Sequence, residues 1–205
     1  MLRIFRELFG GVRQGTREDG IADEAAMIEF ISTRAAHVAQ SSLFGYLRAR
    51  MGTREREIFQ DERFAEPLKT ARDAMLAHCL SDLVVFAAAT VEASDAGRKT
   101  MALRWYRMAA LAADADWAEL HQDDALERFA ARLARTDWQA AAEREGAFTE
   151  SPNGLVAAAP VIDAFKELDG EIVRNSVRFR WTDVRRQLRE RVDRTAFRTN
   201  DRQSS

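Results

Sequence analysis

The chain of 205 residues contains one cysteine, three histidines and three prolines. The single cysteine, Cys79, excludes a disulfide within the chain and a zinc site made of cysteines. So few prolines leave long stretches free to form uninterrupted helices. The formal net charge of −2 provides no general attraction for nucleic acid, so no DNA partner is expected.

The sequence also lacks the short motifs of several known sites. It has no G-x-S-x-G sequence of serine hydrolases, no E-x-x-H pair of ferritin-like metal proteins and no EF-hand loop. We therefore predict no cofactor and no metal ion. Any catalytic site would have to be assembled from residues on separate helices.

Apolar residues recur with helical spacing, and no segment alternates as a strand does. The predicted fold is all-α: a single bundle of about six helices with a short amphipathic N-terminal segment. We predict that the chain divides into three regions. Residues 1–15 form this segment and its linker, residues 16–198 form the bundle, and residues 199–205 form a disordered tail. The helices are expected at residues 21–51, 67–93, 99–113, 116–134, 137–145, 155–168 and 171–195, with turns at 151–154 and 169–170.

The first two of these helices are expected to be central. Helix 21–51 is apolar on two nearly opposite sides, which indicates burial against neighbours on both. Helix 67–93 contains the most apolar stretch of the chain, residues 74–91. Asp82 near the middle of that stretch would be costly in a membrane, so we expect a buried core helix.

Polar residues on the two central helices form the first candidate site. Ser41 would be a nucleophile, His37 or His78 its base, and Asp82 the group that orients the imidazole. His37, His78 and Asp82 could instead bind a metal ion. The interpretation that we favour is that these side chains are hydrogen-bonded core residues that hold the two helices in register.

Aromatic residues on the same helices predict a second kind of site. A ligand pocket between the helices would be lined by Phe30, Phe44, Tyr46 and Met75. Tight packing without a pocket satisfies the same apolar pattern equally well.

The N-terminal segment is the third candidate. Five of its first nine residues are large and apolar: Leu2, Ile4, Phe5, Leu8 and Phe9. These are too many to leave in water, and two glycines then begin a linker. Such a segment can dock into the groove of a protein partner or lie on a membrane surface. The alternative is that it folds back over the open end of the bundle.

An acidic region, residues 114–150, offers a possible metal-binding set: Asp116, Glu119, His121, Asp123 and Asp124. We favour a solvated acidic face instead. In that interpretation Asp123 or Asp124 caps a helix that begins near Ala125.

The C-terminal region, residues 169–205, is basic, with ten arginines against six acidic residues. Interleaved with Phe179 and Trp181, these arginines could bind RNA. We favour packing of this helix against the acidic region, because acidic residues are mixed along it. RNA is therefore not an expected partner.

The run DGIADEAAMIEFISTRAAHVAQSSLFGYLRARMGTR, residues 19–54, resembles the opening of a family of short bacterial helical proteins of unestablished role. The resemblance covers about a sixth of the chain. Some members of that family are labelled esterase, so the resemblance implies a helical fold and raises a hydrolase as an alternative. It carries no catalytic motif onto these residues.

Two functions follow from the sequence. The first is a non-enzymatic helical accessory or adaptor protein, cytoplasmic or peripheral on the inner face of the membrane, that docks through its N-terminal segment. The alternative is a small serine hydrolase that uses the Ser/His/Asp cluster. The sequence does not define the oligomeric state.

Overall fold

A computed structural model of the protein describes residues 20–143 and 146–200. Within them the chain is helical, and its only β-type pairing is one isolated bridge between Ile21 and Val192. The predicted all-α class is confirmed. The helices are α1 Glu24–Met51, α2 Glu55–Ile58, α3 Glu62–Val91, α4 Asp95–Ala113, α5 Ala115–Leu133, α6 Trp138–Ala142, α7 Glu150–Ala158, α8 Asp163–Arg191 and α9 Arg194–Asn200, with a 3₁₀ turn at Gly52–Arg54.

Helix α1 begins and ends close to the expected residues. The Asp23 carboxylate accepts a hydrogen bond from the Ala26 backbone at 2.8 Å, which satisfies a free N–H of the first turn. Gly52, with φ of 53°, ends the helix in a conformation that favours glycine. The side of α1 with Ile31 is buried, whereas on the opposite side Phe30 and Phe44 are buried and His37 between them is exposed.

Helix α3 is the central element and contacts α1, α4, α5, α6, α7 and α9. It begins five residues earlier than expected, because Asp61 caps it by accepting from the Arg63 backbone at 3.0 Å. Pro67 therefore lies inside the helix. By length and composition α3 could cross a membrane, but 78% of its most apolar window is buried inside the protein.

The next three helices each begin at a residue whose side chain caps the helix N-terminus. Ser94 caps α4, Asp114 caps α5 and Asp137 caps α6. The expected cap at Asp123 or Asp124 is wrong: both residues lie in the middle of α5 and are exposed. Since Asp114 already starts the helix, it runs through them without a break.

The two turns expected in the C-terminal part are also corrected. Residues 151–154 form the start of α7, where Pro152 is tolerated because its missing N–H falls in the first turn. The helix break comes instead at residues 159–162, where Ala159 is extended before Pro160. Asp169 and Gly170 lie inside α8, where both are buried.

The start of the described chain is attached to the end of α8. Ile21 donates its backbone N–H to Arg191 at 2.8 Å, and Asp193 donates back to Ile21 at 2.9 Å. Ile21 is itself buried. Helix α8 also packs on α1 and α7, and α7 packs on α3. The loop before α7 is thereby held between the central helix and the last long helix.

Candidate functional site

The structure separates the residues of the predicted catalytic site. Among the described residues, no hydrogen bond or ion pair joins His37 or Ser41 to His78 or Asp82. His37 is exposed on α1, and the Ser41 hydroxyl donates to the Val38 carbonyl of its own helix at 3.4 Å. Asp82 points towards α7. The expected Ser41–His37–His78–Asp82 arrangement is therefore not formed.

Asp82 instead lies at the centre of a buried polar cluster. Its Oδ2 accepts hydrogen bonds from the Ser151 hydroxyl at 2.6 Å and from the Ser151 backbone at 2.8 Å. Its Oδ1 accepts from the Glu150 backbone at 3.1 Å and lies 2.9 Å from Nη2 of Arg132. All four partners are donors, which fits an ionised carboxylate.

This carboxylate caps a helix to which it does not belong. Glu150 and Ser151 are the first two residues of α7, and Thr149 at the N-cap position makes no side-chain capping bond. The free N–H groups of a helix N-terminus attract negative charge. Asp82 supplies that charge from α3, and so it joins α3 to α7.

Arg132 of α5 closes the cluster from the other side. Its guanidinium donates to the Ser81 hydroxyl at 2.6 Å and to the Ala147 carbonyl at 2.5 Å. It also lies 3.5 Å from Oε2 of Glu150. An arginine buried to this degree requires such pairing, because an isolated buried charge is very costly.

The cluster perturbs the acidity of its members. Burial raises the pKa of Asp82, although the Arg132 charge and the hydrogen bonds from Ser151 oppose this rise. Burial acts in the same direction on Glu150, but hydrogen bonds from His78 and Ser81 and the Arg132 charge together lower its pKa below the ordinary value. Glu150 is therefore held as a carboxylate.

Cys79 and Trp181 pack against the same cluster. Burial, with the nearby charge of Asp82, raises the pKa of the Cys79 thiol well above its usual range, so it is a poor nucleophile. Trp181 is fully buried and donates its indole N–H to the Ser151 hydroxyl at 2.9 Å. Trp181 cannot stack on an RNA base in this position, whereas Phe179 is exposed.

His78 lies at the edge of the cluster, with its Nδ1 3.7 Å from Oε2 of Glu150. Its ring lies over Gly154 of α7, where an added Cβ would come within 2.3 Å of the imidazole. The nearby Ser81 hydroxyl accepts from Arg132 and is not oriented by His78. The cluster therefore provides helix capping and charge pairing, and it does not activate a hydroxyl.

A cavity of about 340 Å³ lies beside the cluster. Arg132 and Glu150 contribute to its wall, together with Val85, Arg135, Thr136, Asp137, Ala140, Gly146 and Thr149. Its lining carries two arginines and two acidic residues, so it has no marked preference for an anion or a cation.

None of the four residues predicted to line a ligand pocket borders this cavity; all four are buried by packing. Phe44 packs on Phe59 with ring centroids 5.6 Å apart. The Tyr46 hydroxyl donates to Asp169 at 3.2 Å. Phe30 lies beneath Arg34 and Met75 is fully enclosed.

The described part of the chain contains no group of three or more histidine, cysteine or acidic residues arranged to hold a metal ion. In the acidic region, His121 faces Asp73 at 3.8 Å and not the carboxylates close to it in sequence. Asp116, Glu119 and Asp123 share one side of α5, and His121 lies away from that side.

One face of α8 is not covered by any of the described residues. Leu168, Ile172 and Phe179 are 73%, 73% and 79% exposed, and helical spacing places them on one side. Ile172 lies on this exposed side, whereas Val173 beside it is buried with Trp181. The apolar residues of α8 divide into two stripes, and only the stripe with Trp181 faces the core.

The predicted docking residues Leu2, Ile4, Phe5, Leu8 and Phe9 lie outside the described residues. Compared with protein-family models, curated proteins and solved structures, the chain matches none of them. Its function is therefore inferred from its own residues.

Replacing the buried capping carboxylate is expected to destabilise the fold. Asp82→Asn should lower the free energy of unfolding by about 3–5 kcal/mol, because it leaves Arg132 without its buried counter-charge. Urea unfolding followed by tryptophan fluorescence measures the change. The control is Glu66→Gln, exposed on the same helix, which should change stability by less than about 0.5 kcal/mol. Similar effects of the two variants would contradict the capping role.

Glu150 should make stability depend on pH. Because its pKa is lower in the folded protein than the ordinary 4.5, its ionised form stabilises the fold above that pH, and this contribution is lost as the pH falls through the folded pKa. The stability difference between the wild type and Glu150→Gln should therefore shrink as the pH falls below about 4.5. Urea unfolding at several pH values tests this, with the exposed Glu127→Gln as control. A difference that stays constant with pH would show that the pairing with His78 and Arg132 is not electrostatic.

Proposed function

We propose that this protein is a non-enzymatic helical accessory or adaptor protein that docks to a protein partner or a membrane surface through its N-terminal segment. The observation that most directly supports an interaction role is the apolar face of α8 that the described residues leave exposed, with Leu168, Ile172 and Phe179. Exposed apolar side chains that share one helix face are typical of interaction surfaces. The buried polar groups, in contrast, are engaged in fixing helices to one another.

The composition of residues 1–9 supports docking through that segment. Its large apolar side chains need a surface to cover them, and the glycines at residues 10 and 11 leave the segment free to reach one. Nine residues without a lipid anchor would bind a membrane only weakly. A groove on a protein partner is therefore the favoured target. If the target is a membrane, the protein would be cytoplasmic and peripheral on the inner face of that membrane.

Acidic substitutions in this segment should abolish docking and leave the bundle intact. We expect the double variant Phe5→Asp, Leu8→Asp to lose at least about tenfold in association, either with proteins cross-linked to the chain in the producing cells or with anionic phospholipid vesicles. Removal of residues 1–15 should have the same effect.

The control for this experiment is Val12→Asp in the linker, which should bind as the wild type does. Circular dichroism and thermal unfolding check that the bundle remains folded. Binding that survives the double variant would contradict docking through the segment. Early melting or aggregation of the truncated chain would instead show that the segment belongs to the core.

The alternative, a small serine hydrolase, is the function implied by the resemblance of residues 19–54 to proteins labelled esterase. It requires a hydroxyl within about 3 Å of an imidazole, whereas the Ser41 hydroxyl is bonded to its own helix. Hydrolysis of a model ester by the purified protein should therefore be unchanged in Ser41→Ala. Loss of activity in a folded Ser41→Ala variant would favour the hydrolase.

A further inference from the structure

The described chain starts beside the C-terminal end of α8. Ile21 pairs with Val192 in the parallel sense, and an added Cβ at Gly20 would lie 3.6 Å from the Arg191 carbonyl. In a parallel pair the two chains run the same way. The backbone of Gly20 and Ile21 therefore runs in the same direction as that of Arg191 and Val192 at the end of α8.

The exposed apolar face of α8 lies on the same helix, from Phe179 back to Leu168. Leu168, Ile172 and Phe179 fall within an arc of about 40° and span about 17 Å along the helix. Glu167 and Glu171 are exposed along one flank of this stripe, and neither forms an ion pair with any described residue. The N-terminal half of the face therefore carries Leu168 and Ile172 with the two carboxylates beside them, and Arg174 and Arg178 follow on the same flank towards Phe179.

Residues 1–9 have the complementary composition. Leu2, Phe5 and Phe9 are separated by three and four residues, the spacing of one helical face. Arg3 and Arg6 accompany them, three residues apart, and could pair with Glu167 and Glu171. As a helix, these nine residues would be about 14 Å long, close to the length of the stripe.

The linker is long enough for the segment to reach this face. The ten residues 10–19 span at most about 35 Å when extended. The distance along α8 from Arg191 back to Phe179 is about 18 Å, and to Leu168 about 35 Å. Residues 1–9 can therefore lie over the stripe without any change in the bundle.

We propose that in the isolated chain residues 1–9 dock on the Leu168–Ile172–Phe179 face of α8, with Arg3 and Arg6 beside Glu167 and Glu171. The docking segment and the apolar face then cover each other until a partner displaces the segment. This intramolecular contact does not depend on the proposed function, since it is measured on the purified chain alone. Its failure and the failure of partner binding are therefore separate results.

Accessibility of a cysteine placed in the middle of the face tests the contact in the full chain. Asn175 lies between Ile172 and Phe179 on the same exposed side, so Asn175→Cys removes no apolar side chain. Cys79 is fully buried and will not react in the folded protein. We expect a maleimide to label Cys at position 175 about tenfold more slowly than in the same chain carrying Phe5→Asp.

Two controls make the result specific. Val12→Asp, in the linker, should leave the slow labelling unchanged, and a cysteine at exposed position 127 on α5 should react equally fast in all chains. Equal labelling at position 175 with and without Phe5→Asp would overturn the proposal. Slow labelling that disappears on dilution would also overturn it, because the covering segment would then come from a second copy of the chain.

Discussion

The buried carboxylate of Asp82 is the interaction on which the arrangement of the helices around α3 depends. It accepts hydrogen bonds from the first two backbone N–H groups of α7 and pairs with Arg132 of α5. A carboxylate at this depth is stable only because every partner is a donor and one of them is charged. Removal of Arg132, the charged donor, would leave the Asp82 charge buried without its counter-charge. The carboxylate therefore joins α3, α5 and α7.

The same interaction explains why the polar groups of the core are engaged with one another. Ser151, Ser81 and Arg132 use their hydrogen-bonding groups on one another and on Asp82. The Ser151 hydroxyl is buried and donates to Asp82, so the cluster fixes α3, α5 and α7 relative to one another. The large apolar side chains of α8 that are exposed to solvent are Leu168, Ile172 and Phe179.

The elements that the sequence predicted well are those with local signals. The apolar spacing of residues 21–51 predicted helix α1, and the composition around Asp82 predicted the burial of that stretch. The turn expected at Pro152–Gly154 was wrong, because a carboxylate from another helix caps α7 and because Gly154 makes room for the His78 ring. No property of residues 151–154 alone could reveal a cap that lies 69 positions earlier in the chain.

The all-α class, the central position of α1 and α3 and the presence of polar groups inside the core could be predicted from the amino-acid sequence, because periodicity and composition act within single helices. Which polar groups meet depends on the packing of the helices. His37 faces solvent, Asp82 meets Ser151 and Arg132, and the apolar residues of α8 divide between core and surface. These outcomes depend on how each helix is rotated about its axis relative to its neighbours. A rotation of 100°, the angle between successive residues, is enough to move a side chain from a buried partner to solvent.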